Sequence, residues 1–562
     1  MDFFGIPWEI FRIEPDPLAG GSSRVLCRYH SVIGPIPTAV ALWNCMPPLA
    51  RHSFFFYTTD DLAKSCCSLR LLTGCREDFL QTCDEKSITV DVSPDWADLT
   101  GPMHGLRLNA KARACDLIAM VKAGRSVSTI IGPDQGAFFL CCENGSHRAF
   151  VSCSSDIPDL DEPLKGKGYD VTKGFLSAVP LLMYLKWAFR DICWHPNEAN
   201  ACLILDDPPL KRRYGFCDFR LLDLQMKDHS FTTNIAMIPW NTRRTSTEMV
   251  SLIKASEGRL SVSVHGCDHT AREFGADSVS ELSAKVDLAK RRMERHRKAT
   301  EISHEAIMIF PQGIFSRQSM QVLQEHGFVA AVNTEPLPFP TRESLTIGDS
   351  WAMAITRYSS FPLFIRRYPA EGLANFAFDI LLGKPCLICE HHGFFKAQHR
   401  EVIRFVNALN SLNTRLRWRS LGDVIRRSYQ SRVDSDGIVR VRMFANELLL
   451  KNDGDTEQEY RIEKADSDSV GIEGVTANDR SLDWKANGLS VFFTCTIRPG
   501  QQALLRVRYI RPVSNNGRNK NISGFLRIAA RRYLCEFRDN FLSRHDGLMA
   551  VAKRAKGIVS RN

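Results

Sequence analysis

Long apolar runs are missing from this chain. Its most apolar stretch, Phe175–Phe189, is interrupted by Pro180 and Lys186 and is too short to span a bilayer, so it predicts a core helix. A disulfide framework is missing too. The 18 Cys are scattered, and so many unpaired thiols suit a reducing compartment. Cys386 and Cys389 form a C-x-x-C, but i and i+3 point to opposite faces of a strand, so they read as core packing. The doublets Cys66–Cys67 and Cys141–Cys142 read the same way. The opening residues, MDFFGIPWEIFRIEPDP, carry an early acid, no basic region and no small-residue cleavage site. They predict no signal peptide and a cytoplasmic, soluble protein. Charge of one sign is scarce, since a net +10 over 562 residues is modest and gives no reason to expect a nucleic-acid partner. The loop Gly132–Gly136 (GPDQG) lacks the Lys-Ser/Thr and following helix of a phosphate-binding loop, and predicts a turn.

Two short stretches carry the chemistry. Ala201–Pro209 (ACLILDDPP) is an apolar run ending in Asp206 and Asp207, and Ser261–Thr270 (SVSVHGCDHT) is another that ends in His265 and His269. Such runs, closed by polar and Pro/Gly signals, predict buried strands with polar groups at their exits. Two imidazoles at i and i+4 lie on one face of a helical turn and can share a divalent cation. One carboxylate added to them gives a 2-His-1-carboxylate set with open positions for water and substrate. The neighbouring acids diverge in extended chain, so one can bind metal while the other serves as a base.

These segments resemble the blocks of NodB-type polysaccharide deacetylases, carbohydrate esterase family four. LILDDPP is similar to that family's Thr-Phe-Asp-Asp-Gly block, and HGCDH to its His-Ser/Thr-x-x-His block. IFPQGIF keeps Pro311 and Gly313 of its Arg-x-Pro-x-Gly block, and CLICEHH (Cys386–His392) resembles its last block, an apolar strand ending in His. All four occur in the family's order. The resemblance implies a distorted (β/α) barrel that hydrolyses N-acetyl groups on sugars with one divalent metal, zinc before others. Carried over, Asp206 is the general base, and Asp207, His265 and His269 are the metal ligands. His391 is the general acid, with the adjacent His392 nearly as good a candidate. Pro311 and Gly313 fall on the substrate side. Ile309 stands where the family has the Arg that orients the catalytic Asp, so that ion pair is expected to be missing. Leu205 and Pro208 replace the usual Phe and Gly, and the Asp-x-x-Asp-Trp block is echoed only by Asp349 and Trp351 at another spacing.

Around this centre the chain reads as an α/β protein of several domains. Residues 1–195 predict an α/β accessory domain, with strands at Ala39–Trp43, Ser53–Tyr57, Ile88–Val92, Val127–Ile131 and Ala137–Cys142 and a helix at Leu106–Ala123. Residues 196–430 alternate strand and helix as a barrel does, including strands at Trp351–Thr356 and Pro385–Glu390. Residues 431–510 predict a small β-sandwich. Residues 511–562 form a basic tail with 9 Arg and 3 Lys against 3 acids. In it Phe525–Leu542 reads as a helix, with Phe525, Ile528, Ala529, Tyr533 and Phe537 at helical spacing. Such a helix either lies on an anionic membrane surface or docks on its own protein with its Arg solvated. Trp240 is either a stacking platform for a pyranose or packing. Tyr214, with Arg212 and Arg213, either meets an anionic substrate or lines a solvated loop; Arg366 and Arg367 carry the same pair of readings. The expected function is removal of an N-acyl group from a sugar or glycan precursor. A non-catalytic carbohydrate-binding module and a glycoside hydrolase on the same barrel are the alternatives.

Overall fold

The computed structural model describes residues 1–10, 29–38, 53–73, 80–82, 87–120, 127–144, 147–164, 166, 168–190, 192–341, 343–412, 414–434, 436–466, 471–510 and 522–544. The barrel sheet has eight parallel strands; seven lie along its path, β1 (Asn200–Asp206), β2 (Thr233–Met237), β3 (Leu260–His265), β4 (Ile307–Ile309), β5 (Ala330–Asn333), β6 (Leu363–Ile365) and β7 (Cys386–Glu390), and the short strand Arg417–Trp418 pairs with the start of β1. The seven follow one another in space as β6-β5-β4-β3-β2-β1-β7. The two edges meet where the chain leaves β6. Arg366 still bonds to Asn333 of β5, but the Arg367 amide donates to Leu387 (2.9 Å) and its carbonyl accepts from Cys389 (2.8 Å). The helices Phe219–Asp228, Thr247–Ala255, Val279–Thr300, Arg317–Glu325 and Leu373–Leu382 lie between these strands in the chain.

The pleat decides what enters the barrel. Cys202 and Ile204 of β1, Ala236 of β2, Ile309 of β4, Val332 of β5, Phe364 of β6 and Leu387 of β7 pack into one cluster, which the helix Leu421–Arg426 joins through Leu421, Val424 and Ile425. The alternate residues Leu203, Leu205, Ile235 and Val262 belong to the larger core outside the strands. Asp206 and Arg366 lie two residues beyond Ile204 and Phe364, so a period of two carries both to the inner face at the barrel mouth.

Before the barrel, a seven-stranded mixed sheet has the spatial order Ser31–Pro35, Ser53–Tyr57, His147–Ser152, Phe139–Asn144, Val127–Gly132, Ile88–Val92, Arg107–Ala110. The helix Phe175–Ala188 is buried on nearly every side, with Tyr184 donating to Ser53 (2.9 Å) and packing on Phe150. A single apolar cluster runs from the sheet through this helix to the barrel's outer shell. After the barrel, two antiparallel-rich sheets enclose a separate core that includes Val441, Ile462, Val491 and Leu505; one has four strands, the other six, the sixth being His195–Pro196 from just before the barrel. Among the described residues no helix is long and apolar enough to cross a membrane.

Two expectations are corrected. Leu106–Ala123 contains two short strands, Arg107–Ala110 and Leu117–Ala119, in place of a helix. Exposed Arg107 and Asn109 alternate with Leu108 and buried Ala110, and this period of two pairs with Ile88–Asp91. Trp351–Thr356 is not a strand: a capping box of Thr346 and Asp349 opens a helix at Ile347–Trp351, and the strand comes later, at Leu363–Ile365. The expected strand Ala39–Trp43 lies outside the described residues.

Candidate metal centre and barrel mouth

β1 ends at Asp206, and Asp207 then takes a left-handed backbone (φ 77°), which aims its side chain differently from that of Asp206. β3 ends at His265, and the next turn is not helical. Gly266 (φ 63°) and His269 (φ 56°) are both left-handed, so a tight loop brings His269 back over His265, with ring centroids 5.0 Å apart. A Cβ on Gly266 would lie 2.4 Å from Pro311 Cγ. The loop is held from within by buried Glu273, which accepts the backbone N–H groups of Cys267 (3.0 Å), Asp268 (2.7 Å) and His269 (3.1 Å). The two imidazoles thus converge through a carboxylate-pinned loop and not through helical i, i+4 spacing.

Asp207 Oδ1 lies 3.0 Å from His269 Nε2 and 3.4 Å from His265 Nε2. His265 Nδ1–H donates to the Ile309 carbonyl (3.0 Å), which leaves the lone pair of Nε2 facing the carboxylate. Asp207 Oδ1 is buried without a hydrogen-bond donor. The three donor atoms lie within 4.8 Å of one another, and two imidazole nitrogens with one carboxylate oxygen suit zinc or a similar divalent ion. Burial alone would raise the Asp207 carboxyl, but the two imidazoles hold it well below the ordinary carboxylate range. For His265, burial disfavours charge, and Asp206 and Asp207 together outweigh it and raise the ring. A second acidic group nearby, Cys267, Asp268 and Glu273, is already satisfied: Glu273 by three amides, Asp268 by Arg292 (2.6 Å).

The ion pair expected to be missing is present, supplied from elsewhere. Arg366 grips Asp206 with two parallel bonds, Nη1 to Oδ1 at 2.6 Å and Nη2 to Oδ2 at 2.7 Å, in a fully buried setting. Ile309 on β4 and Arg366 after β6 both belong to the barrel's inner layer, so the guanidinium reaches Asp206 from another strand. Burial pushes the Asp206 carboxyl up, and Arg366, His265 and His391 outweigh it and hold it down. Arg367 turns the other way, to Asp379 (2.6 Å) and Glu371 (2.9 Å), where it fastens the chain at the barrel's closing seam.

His391 and His392 separate. His391 is exposed, and its ring lies parallel to that of Tyr368 at 6.4 Å. His392 is half-buried, stacked on Phe216 (5.8 Å) and facing Asp539 of the C-terminal helix Ile522–Asn540 at 3.5 Å. A Cβ on Gly215 (φ 56°) would lie 2.2 Å from His392 Nδ1, so only glycine admits the ring there. The C-terminal helix crosses the loop that follows β1. Tyr214 donates its hydroxyl to Asp539 (2.6 Å), the Gly215 amide donates to Asn540 (2.7 Å), Lys211 donates to Glu536 (2.5 Å), and Arg244 also pairs with Glu536. Burial, opposed and outweighed by His392, Arg538 and Tyr214, leaves the Asp539 carboxyl at about 2. Trp240 packs edge-on against Tyr533 of the same helix at 6.1 Å. Tyr214 and Trp240 therefore meet the protein's own tail, and Arg213 pairs with Asp218 (2.8 Å). Pro311 packs at the Gly266 turn, and the Gly313 carbonyl accepts from Asn333 (2.8 Å). Asp349 caps its own helix and pairs with Arg357, and Trp351 is buried against Tyr169 and Phe378, so neither joins this group.

Three residues of the mouth escaped the sequence reading: Glu273, Asp539, and Arg366 as the partner of Asp206. Only Arg366 left a trace, as a pair of cations at the exit of the apolar run LFI, mirroring the pair of acids after LIL. A separate apolar cavity of 1010 Å³, lined by Phe4, Trp8, Val32, Leu182 and Phe189 among others, lies at the N-terminal sheet and takes in none of these groups.

Neither a family model nor a curated protein matches the chain. Solved structures similar to it include a CE4 family pseudoenzyme from Bacillus anthracis, at 10% identity over 40% of this chain and 64% of that one, TM-score 0.26. The likeness thus spans just under two thirds of that protein. A polysaccharide deacetylase structure from Mycobacterium smegmatis is similar at 13% identity over 41% of this chain and 92% of that one, TM-score 0.29. A family 4 carbohydrate esterase from Streptomyces lividans, in complex with acetate, is similar at 13% identity over 40% of this chain and 92% of that one, TM-score 0.24.

Proposed function

We propose that this chain is a metal-dependent hydrolase that removes an N-acyl group, acetyl in the simplest case, from a sugar or glycan precursor. One observation carries the reading: Asp207 faces both imidazoles through a single oxygen, beside a second carboxylate that an arginine holds ionised. Asp207, His265 and His269 would hold the ion, with zinc preferred by the donor set. When bound, such an ion supplies Lewis-acid polarisation of the acyl carbonyl and eases deprotonation of water. Asp206 takes the proton of the attacking water as its oxygen adds to the acyl carbon. Arg366 keeps that carboxylate charged and fixes its plane. His391, exposed at the end of β7, protonates the amine nitrogen as the C–N bond breaks, so amide and water become carboxylic acid and free amine.

The test has two arms. Purified protein is expected to carry stoichiometric zinc that Asp207→Ala and His265→Ala lose. Acetate release from N-acetylated oligosaccharides is expected to vanish in Asp206→Asn with the metal retained. New reducing ends in place of acetate would assign glycoside hydrolysis instead. Bound metal and sugar with no product would leave a binding module.

A further inference from the structure

The C-terminal helix is two-faced, and its faces are reversed from those of an ordinary docked helix. Its inner face is polar, with Glu536, Asp539 and Asn540 fastened to Lys211, Arg244, Tyr214 and Gly215. Its outer face is apolar. Leu526, Leu534, Phe537 and Phe541 recur at helical spacing and are 62%, 68%, 51% and 61% exposed, and Tyr533, 57% exposed, borders them while packing on Trp240 and Arg244. At 100° per residue they fall within one stripe. Phe537 and Phe541 stack on each other, with centroids at 5.4 Å, and each keeps more than half of its surface exposed. Arg527 is exposed along one border of the stripe with partly exposed Arg531 beside it, and Arg538 on the same border is exposed while pairing with Asp539 (2.6 Å). Both acids of this helix are engaged, Glu536 by Lys211 and Arg244 and Asp539 by His392 and Arg538, so no carboxylate lies on the outer side and Arg527 and Arg531 are its cations.

We infer that this outer stripe is a docking surface for an anionic lipid bilayer, with the helix lying in the interfacial plane. Aromatic and leucine side chains beside a row of Arg suit the boundary between acyl chains and anionic headgroups. The surrounding tail adds to the attraction, with 9 Arg and 3 Lys against 3 acids in residues 511–562. Because the inner face grips the loop after β1, docking brings the barrel mouth beside the lipid surface. Resting on the hydrolase reading above, that position fits an N-acylated sugar carried on a lipid.

The experiment is co-sedimentation of the full chain with vesicles of phosphatidylcholine, alone or with phosphatidylserine. Binding is expected with phosphatidylserine and weak without it, and it falls as salt is raised. Leu534→Ser with Phe537→Ser is expected to weaken it by about tenfold or more, from the lost apolar burial. Arg527→Glu is expected to weaken it by about fivefold or more. These positions touch none of the inner contacts, and intact zinc content in the variants confirms that the mouth is undisturbed. Absence of binding to phosphatidylserine vesicles, or binding indifferent to the Leu534/Phe537 pair, overturns the inference. So does self-association in light scattering that the same pair abolishes, which assigns the stripe to a second copy. Vesicle binding is read without any turnover, so its failure is distinct from failure of the hydrolase reading.

Discussion

Replacing Arg366 with Met removes the guanidinium that grips Asp206 while keeping the volume of the side chain. Both partners are buried, with side-chain exposures of 3% and 6%. A carboxylate left uncompensated in such a place costs roughly 3–5 kcal/mol, far above the value of a surface ion pair. The cost falls if the charge goes with it. Asp206→Asn combined with Arg366→Met leaves two neutral groups of similar size, and the coupling between the two changes is expected at roughly 1–3 kcal/mol. Urea titration of wild type, both single variants and the double variant measures this cycle. It is run with chelator and again with zinc, because a cation held by Asp207 next door also offsets the charge of Asp206. The coupling is therefore expected to be larger in the chelated protein. Single-variant losses that add to within about 0.5 kcal/mol would refute the reasoning, since Arg366 would then be packing and not counter-charge.

Glu273→Gln replaces one acceptor oxygen with a donor facing backbone N–H groups, so the loop that carries His269 loosens. Zinc affinity is expected to drop by about 10- to 100-fold in competition with a chelating dye, and unchanged affinity would show that the loop stands without it. Glu305, packed below the barrel against Asn234, has its carboxyl pushed up by burial to about 7 from an ordinary 4.5. The folded protein therefore holds a proton that the unfolded chain releases, and stability falls as pH rises through that window. By about pH 8 the cost reaches roughly 3 kcal/mol. Glu305→Gln is expected to flatten the dependence, and a difference in unfolding midpoint from wild type that is the same at acid and alkaline pH would contradict this.

Periodicity made the barrel legible. β1, β3 and β7 are short apolar runs of residues buried on both faces, and their polar exits are written directly after them. The sandwich strands announced themselves by alternation, as in Ser490–Ile497, where buried and exposed residues alternate. Arg107–Ala110 alternates as clearly, but Leu108, Cys115, Ile118 and Ala119 also match a helical face, and over a short window the two periods compete. The site was half legible for a different reason. Asp206, Asp207, His265 and His269 sit within a few residues of their own strands, whereas the Arg366–Asp206 and Asp539–Tyr214 pairs join positions 160 and 325 residues apart. Nothing local specifies such contacts. They follow from which strand closes the barrel and from which face of the last helix turns inward.

Strand pairing also separates the two adjacent histidines, which composition left equivalent. Leu205 of β1 is paired with Glu390 of β7, so one step further Asp206 stands level with His391. Successive residues leaving a strand point to opposite sides, and His392 therefore cannot share that position. The environments agree with the register. His391 helps to hold the Asp206 carboxyl down and lies against Tyr368, two residues past Arg366. His392 is enclosed by Tyr214, Phe216 and Asp539. The proposed proton donor is thus the ring left open to a substrate, while its neighbour ties the loop after β1 to the tail. The tail's acids bind that loop and His392 from one side, while Arg366 holds Asp206 from inside the barrel. The mouth is consequently assembled from parts of the chain that meet only when the barrel has closed and the last helix has docked.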